Sequence, residues 1–246
     1  MQFSKSAMVS FLLLAAACSS TTTVTNTDSG TTPDAALKDS AAKDTGTTSD
    51  AGTCTPQDVT SFAPATDPSP AAPASGCTDP IALAYYNACV AAAGTQSACD
   101  AITQAAANAA CVACLVTPDT ASKWGALIQD SQSLLRNNIA GCLTVKGDAA
   151  CGTAVSQSSQ CSAAACPDTV CPVPSDDTGA ALDALNACEA KADTLGCKTY
   201  ADKANCLDTS DGGTAAAQAC TAPASSTDDF KDTFLKVAHV ICVAGN

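Results

Sequence analysis

The chain has 246 residues and a formal net charge of −13, with 11 Lys and Arg against 24 Asp and Glu. Because nucleic-acid binding needs clustered Lys and Arg that neutralise phosphates, this charge argues against a nucleic-acid partner. From Cys54 to the C-terminus, Leu, Ile, Val and Phe supply only 30 of 193 residues, too few for an ordinary core, so the 17 cysteines predict a fold held by disulfides.

The N-terminus has the pattern of an export signal. Lys5 is the one charge before Cys18, and an apolar run extends from Ala7 to Ala17, broken only by Ser10. This run is too short to cross a bilayer, which takes about 20 residues. We therefore predict a signal peptide over residues 1–17.

The signal ends in Leu14-Ala15-Ala16-Ala17-Cys18, which resembles the lipobox of Gram-negative bacterial lipoproteins. The resemblance implies cleavage after Ala17, lipidation of Cys18 and attachment to a membrane through that lipid. Ser19 in the next position implies sorting to the outer membrane. Ala15 departs from the Leu that is usual at its place, and Ala15 with Ala17 also fits ordinary secretory cleavage, so secretion is the alternative.

Residues 18–53 are predicted as the lipidated Cys followed by a disordered linker, because they consist almost only of Ser, Thr, Asp, Ala, Gly and Pro. The Asp-x-Gly sequences of a weak repeat, at Asp28 and Asp44, raise calcium binding as an alternative. They lack the alternating acidic ligands and terminal Glu of an EF-hand, so we predict no metal there. Residues 54–76 are a Pro- and Ala-rich lead-in to a disulfide-rich helical domain over 77–246.

From Cys77 the apolar spacing becomes helical, and no run of alternating strands is convincing. Thr78-Asp79-Pro80 is typical of a helix start, and Gly94 is typical of a helix end. Further helices are predicted over 96–115, 119–147, 180–194 and 197–207, from Asp148 onward, and from Thr227 to Cys242. We therefore predict an all-α fold of disulfide-stapled helical hairpins in a small bundle.

The cysteines repeat with the helices. Three segments have a Cys near a helix end, a short turn with Gly, and a Cys early in the next helix. Since residues equidistant from the turn of an antiparallel pair face each other, we predict the bonds Cys89–Cys99, Cys142–Cys151 and Cys188–Cys197. The same symmetry about Gly94 predicts Cys77–Cys111. The other eight of the sixteen cysteines after Cys18 are left unassigned.

Two cysteine groups have chemical alternatives. Cys111 and Cys114 form a C-x-x-C pair, which suggests thiol–disulfide exchange. The pair falls late in its helix, where the helix dipole disfavours a thiolate, so structural disulfides are preferred. Three cysteines at five-residue spacing could bind zinc, but zinc needs reduced thiolates that an exported protein seldom keeps. They are Cys161, Cys166 and Cys171.

Other catalytic signals are sparse. The sole histidine, His239, is predicted on a solvated face of the last helix together with Asp232. The chain has neither a G-x-S-x-G nor an H-E-x-x-H motif, which leaves a hydrolase with paired carboxylates as a further alternative. Tyr85, Tyr86 and Trp124 are predicted as core residues, with the lining of a sugar or peptide groove as the alternative.

These observations predict a cell-envelope lipoprotein that serves as a non-enzymatic binding or structural module, with no catalytic residue and no cofactor. Its partners would be the membrane, through Cys18, and an unknown envelope or extracellular ligand. The alternative function is an extracytoplasmic thiol–disulfide oxidoreductase that uses Cys111 and Cys114.

Overall fold

The computed structural model describes residues 54–131, 133–173, 180–208, 213–223 and 226–243. The predicted signal peptide over 1–17, the lipidation of Cys18 and the linker over 19–53 lie outside the described residues. Within the described part, helices predominate and strands are few. The mostly helical, disulfide-stapled fold that the sequence predicts is confirmed.

The described α-helices are α1 Asp79–Tyr85, α2 Gln96–Thr103, α3 Ala109–Leu115, α4 Ile139–Val145, α5 Ala149–Ala165, α6 Ala180–Thr194, α7 Lys198–Ala204, α8 Ala215–Cys220 and α9 Asp229–Cys242. A π-helical turn over Tyr86–Val90 extends α1, and short 3₁₀ turns over Ala106–Asn108 and Asn205–Leu207 flank α3 and α7. The described strands are β1 Ser69–Pro70, β2 Val116–Pro118, β3 Lys123–Trp124, β4 Leu127–Gln129 and β5 Leu135–Asn137.

A small β layer replaces most of the helix predicted over 119–147, and this prediction is wrong. β4 pairs in parallel with β2 and antiparallel with β5, while β1 pairs in parallel with β3. Between β4 and β5, the Asp130 side chain accepts a hydrogen bond from the Leu134 N–H at 2.8 Å, and Ser133 has a φ of 68°. The apolar spacing fits a helix as well as a buried hairpin, and these turn-forming residues favour the strands.

Other helix boundaries follow the sequence more closely. α6 matches the predicted helix over 180–194, and α7 with its 3₁₀ turn matches the one over 197–207. The helix predicted over 96–115 divides instead into α2 and α3. Asn108 stabilises the break, because its Nδ2 donates to the Ile102 carbonyl at 3.2 Å. Side-chain bonding of this kind lets Asn compete with helical backbone bonding.

The core consists of two clusters of buried side chains, and α5 contributes to both. The larger cluster includes residues of α1, α3, α4, α8 and α9, with Phe234 as its largest fully buried side chain. The smaller cluster includes residues of α6 and the second half of α5, with Leu182 and Leu185. Cys151, early in α5, belongs to the larger cluster, whereas Cys161 belongs to the smaller one. Sulfur therefore fills interior space in both clusters.

All sixteen cysteines from Cys54 onward are paired, in eight disulfides. Cys77–Cys111 and Cys89–Cys99 are the bonds that the symmetric spacing predicts. Two predicted bonds are wrong, because Cys142 pairs with Cys220 instead of Cys151, and Cys188 pairs with Cys166 instead of Cys197. The remaining bonds are Cys54–Cys171, Cys114–Cys242, Cys151–Cys206 and Cys161–Cys197.

The two wrong pairings have a common physical cause. The symmetry argument treats each helical hairpin as if it were isolated, but α5 packs against α4, α6 and α7, and α4 also packs against α8 and α9. The cysteines beside the turns therefore face helices of other hairpins and bond to them. A body with this many disulfides folds in an oxidising compartment, which identifies the chain as an extracytoplasmic or secreted protein.

The lead-in over 54–76 is attached to the body by a disulfide and by hydrogen bonds. Cys54 is bonded to Cys171, and the Gln57 N–H donates to the Ala165 carbonyl at 2.8 Å. Further along, Gln160 of α5 accepts from the Ala65 N–H at 2.8 Å and donates to its carbonyl at 3.1 Å. Residues of this Pro-rich segment make few hydrogen bonds among themselves. Their backbone groups bond to the body instead.

We expect Asn138→Ala to lower the free energy of unfolding by about 2–3 kcal/mol. The side chain is buried, its Oδ1 accepts from the Gly141 N–H at 2.9 Å, and its Nδ2 donates to the Gly125 carbonyl at 2.8 Å. Its removal takes away a helix cap and leaves buried backbone groups unpaired. Urea denaturation measures the effect, with Thr95→Ala as the control because Thr95 caps α2 at an exposed position. Equal losses in the two variants would contradict this prediction.

Candidate binding groove

An open groove of about 610 Å³ lies on the face of the body where α1, α8 and α9 meet. Its apolar lining comes from Pro80 and Leu83 of α1, Ala219 of α8, and Leu235 and Val240 of α9. This volume falls within the range of about 300–1,000 Å³ that is usual for small-molecule sites. Leu83 is 38% exposed in a chain with few large apolar side chains on its surface.

Largely different faces of α9 pack into the core and line the groove. Its core-facing side chains are buried and include Phe230, Phe234, Val237 and Ile241. Leu235, Lys236 and His239 are partly exposed and line the groove together with Val240, which is itself buried in the core. Residues three and four apart are neighbours on a helix surface. The helix begins at a cap in which the Asp228 side chain accepts from the Lys231 N–H at 3.0 Å.

Four charged or titratable residues surround the apolar lining. His239 Nδ1 lies 2.9 Å from Asp79 Oδ1, which joins α9 to the first turn of α1. Lys236 Nζ donates to the Gln218 carbonyl at 2.6 Å and to the Thr221 carbonyl, so it caps the C-terminal end of α8. Lys146, directly after α4, is the fourth and is exposed.

The structure partly changes the predicted surroundings of His239. Its side chain is 45% exposed, and it contacts Asp79 of α1. Asp232, predicted to share that face, accepts from Ser226 Oγ at 2.6 Å. Asp79 and His239 are 160 residues apart in the chain, so helical spacing within α9 carries no signal for this pair.

The aromatic side chains lie in the core and not in the groove. Tyr85, Tyr86 and Trp124 are each less than 8% exposed, as the preferred prediction had it. Burial raises the pKa of Tyr85 to about 12. Burial, with the nearby Asp228 carboxylate, raises the pKa of Tyr86 to about 12. The alternative of an aromatic sugar or peptide groove is therefore not supported at these three residues.

The C-x-x-C pair is divided between two disulfides. Cys111 is bonded to Cys77 and Cys114 to Cys242, and both are buried. Thiol–disulfide exchange through this motif would need the two sulfurs bonded to each other and accessible.

The three cysteines considered for zinc are likewise in three separate disulfides, with Cys54, Cys188 and Cys197. The sulfurs of Cys54, Cys171 and Cys188 lie within 4.8 Å of one another, where two disulfides come close together. In these bonds the sulfurs are not thiolates, which are the form that binds zinc.

A second group of charges lies away from the groove. Glu189 and Asp193 are four residues apart on α6. Ser162 Oγ donates a hydrogen bond to Asp193 Oδ1 at 2.6 Å. Burial raises the pKa of Glu189 to about 7, with the Asp193 charge acting in the same direction and Arg136 against it. Arg136 stacks over Trp124 at 4.9 Å, and burial lowers its pKa. The two carboxylates thus interact electrostatically, although neither lines the groove.

We expect stability to fall as the pH rises from about 4.5 to about 7, because the folded chain then binds a proton at Glu189 that the unfolded chain has lost. Glu189→Gln should flatten this slope and raise the free energy of unfolding near pH 8 by roughly 1–3 kcal/mol. Urea denaturation at several pH values measures it. Asp183→Asn, at an exposed position of the same helix, is the control and should keep the slope. If the slope of stability against pH is unchanged in Glu189→Gln, Glu189 is not the group responsible for it.

The sequence signals this groove only faintly. Leu235 is a partly exposed apolar residue of the last helix, and Leu83 is an exposed apolar residue of α1. These are the signals that helical patterning offers, but the helices that bring them together are distant in the chain.

In the described part of the chain, no single helix is long and apolar enough to cross a membrane. Gln96–Thr103 and Ala106–Leu115 pass that test together by length and composition alone, with a bend of 71° between them. Comparison of the chain with protein-family models, with curated proteins and with solved structures finds no significant match.

Proposed function

We propose that this chain is a lipid-anchored protein of the bacterial cell envelope and works as a non-enzymatic binding module. Its ligand occupies the groove between α1 and α9. The observation that carries the proposal is an apolar, solvent-open groove on a body whose helices are held by eight disulfides. A site on such a rigid framework loses little conformational entropy when a ligand binds.

The anchor is supported by the lipobox-like residues before Cys18 and by the disulfide set. The sixteen later cysteines pair among themselves and so leave Cys18 available for lipidation. Ser19 directs the lipoprotein to the outer membrane. The acidic chain offers no basic segment for anionic lipids, so the acyl chains supply the membrane affinity.

Expression in a Gram-negative host tests the anchor. The parent chain should fractionate with the outer membrane and yield an acylated N-terminal peptide at Cys18 by mass spectrometry. Cys18→Ser should lose the acyl group and the membrane association. Ser19→Asp is the matched control, which should stay acylated but move to the inner membrane. An unmodified Cys18 in the parent would favour plain secretion and overturn the anchor.

A neutral fluorescent probe, N-phenyl-naphthylamine, tests the groove. Its emission should rise on binding to the oxidised body, and Leu83→Glu should abolish the rise because it places a charge on the apolar lining. Leu195→Glu is the control, since Leu195 is 60% exposed outside the groove. Equal probe binding by both variants would remove the groove as the binding site.

The rival function is thiol–disulfide exchange through Cys111 and Cys114. Since each sulfur is buried in a bond to a different partner, we expect no catalysis of insulin reduction by the oxidised or mildly reduced chain. An activity that disappears in Cys111→Ser, while the folded structure persists by circular dichroism, would replace the binding proposal with the enzymatic one.

A further inference from the structure

We propose that the groove binds a long-chain carboxylate, with the alkyl tail along the apolar lining and the carboxylate against Lys146. This inference rests on the proposed function and specifies the ligand class of the same site. The balance of charge in the groove is opposite to that of the described residues as a whole. Among the described residues, Asp and Glu outnumber Lys and Arg by 16 to 8, whereas the groove has two Lys and one His against a single Asp.

The polar residues of the groove differ in what they already contact. The Asp79 carboxylate lies against His239, and the Lys236 ammonium donates to two backbone carbonyls. The Lys146 ammonium has no partner within the described ranges, and it is exposed at the edge of the groove. Lys146 is therefore the cation best placed for an incoming carboxylate, and the neighbouring Lys236 charge adds attraction.

The aliphatic lining of the groove suits an alkyl tail. The lining has five apolar side chains from three helices and no aromatic ring, and the groove is open to solvent. A flexible alkyl chain can follow such a surface, and each covered methylene adds to affinity. A ligand with the same tail but a cationic head group would be repelled by the like charge of Lys146.

Displacement of dansyl-undecanoic acid by three ligands with the same tail tests the head-group preference. The protein is the full chain with Cys18→Ser, stripped of lipid, so that no acyl group of its own competes. Palmitate should displace the probe at least tenfold better than hexadecanol, and hexadecylamine should be the weakest. Palmitate binding should also weaken as salt is raised, because the carboxylate–ammonium attraction is screened.

Charge variants assign the head-group contact. Lys146→Glu should weaken palmitate binding about tenfold and weaken binding of neutral N-phenyl-naphthylamine by a much smaller factor. Lys203→Glu, a charge reversal at an exposed position of α7, is the matched control and should change neither.

The outcomes separate this inference from the proposed function. If palmitate and hexadecanol bind equally and Lys146→Glu has no effect, the carboxylate inference is overturned while a groove that binds the neutral probe stands. If neither probe binds, or Leu83→Glu changes nothing, the groove itself is not the site and both fail. A dimer in sedimentation that Leu83→Glu dissociates would identify a second copy of the chain as the occupant and would likewise overturn the inference.

Discussion

Full reduction of the eight disulfides should unfold the body, even without denaturant. A native disulfide contributes about 2–4 kcal/mol, and the net stability of a domain is about 5–15 kcal/mol. With only 30 Leu, Ile, Val and Phe among the 193 residues from Cys54, the reduced chain has little apolar surface to replace that contribution. Emission from the buried Trp124 should shift to that of a solvated indole, and the thermal transition should disappear.

The control for this experiment is the oxidised chain treated with alkylating reagent alone, which should keep both its fluorescence and its transition. The reduced chain is alkylated before measurement so that its bonds cannot re-form. A reduced and alkylated body that still melts cooperatively would show that apolar packing suffices, and the central role of the disulfides would be wrong.

The second large effect is expected when a single disulfide, Cys114–Cys242, is removed. Cys114 and Cys242 are 128 residues apart and both buried, and their disulfide joins α3 to the end of α9. With Cys142–Cys220 intact the loop that this bond closes is about 50 residues, and Cys114→Ala with Cys242→Ala should cost about 4 kcal/mol. The cavity left in the core adds to this loss.

Removal of Cys89–Cys99 is the matched comparison, because both of its cysteines are partly exposed and only ten residues apart. Changing both to Ala should cost about 2–3 kcal/mol. Urea denaturation under oxidising conditions measures the two double variants side by side. If the short-range bond proves as important as the long-range one, loop closure does not account for the stability of this body.

The parts of the fold that the sequence predicts are those decided over short distances. α6 follows directly from apolar spacing, and Cys77–Cys111 with Cys89–Cys99 follows from symmetry about a single turn. Within one hairpin, the facing positions depend on counting residues alone. The same counting fails at Cys142, because its partner Cys220 comes from α8, 78 residues further along.

The β layer and the groove were beyond prediction for related reasons. Trp124, Leu127 and Leu134 fit helical spacing, and only the turn around Asp130 and the pairing with β2 make the segment extended. The groove requires α1 and α9 to be adjacent, and their order in space is set by packing in the larger core cluster. Neither the strand pairing nor the adjacency of α1 and α9 can be inferred from a short segment of the sequence.

The pattern of the disulfides also determines how the body responds to a protease. Cys54–Cys171 and Cys114–Cys242 overlap, so every peptide bond from Cys54 to Cys242 lies inside a covalent ring. A single cut anywhere in this interval opens a ring but releases no fragment. Nicked molecules should therefore migrate as one species on non-reducing gels and fall apart only after reduction. Such a body can lose the continuity of its backbone at an exposed surface and still stay in one piece.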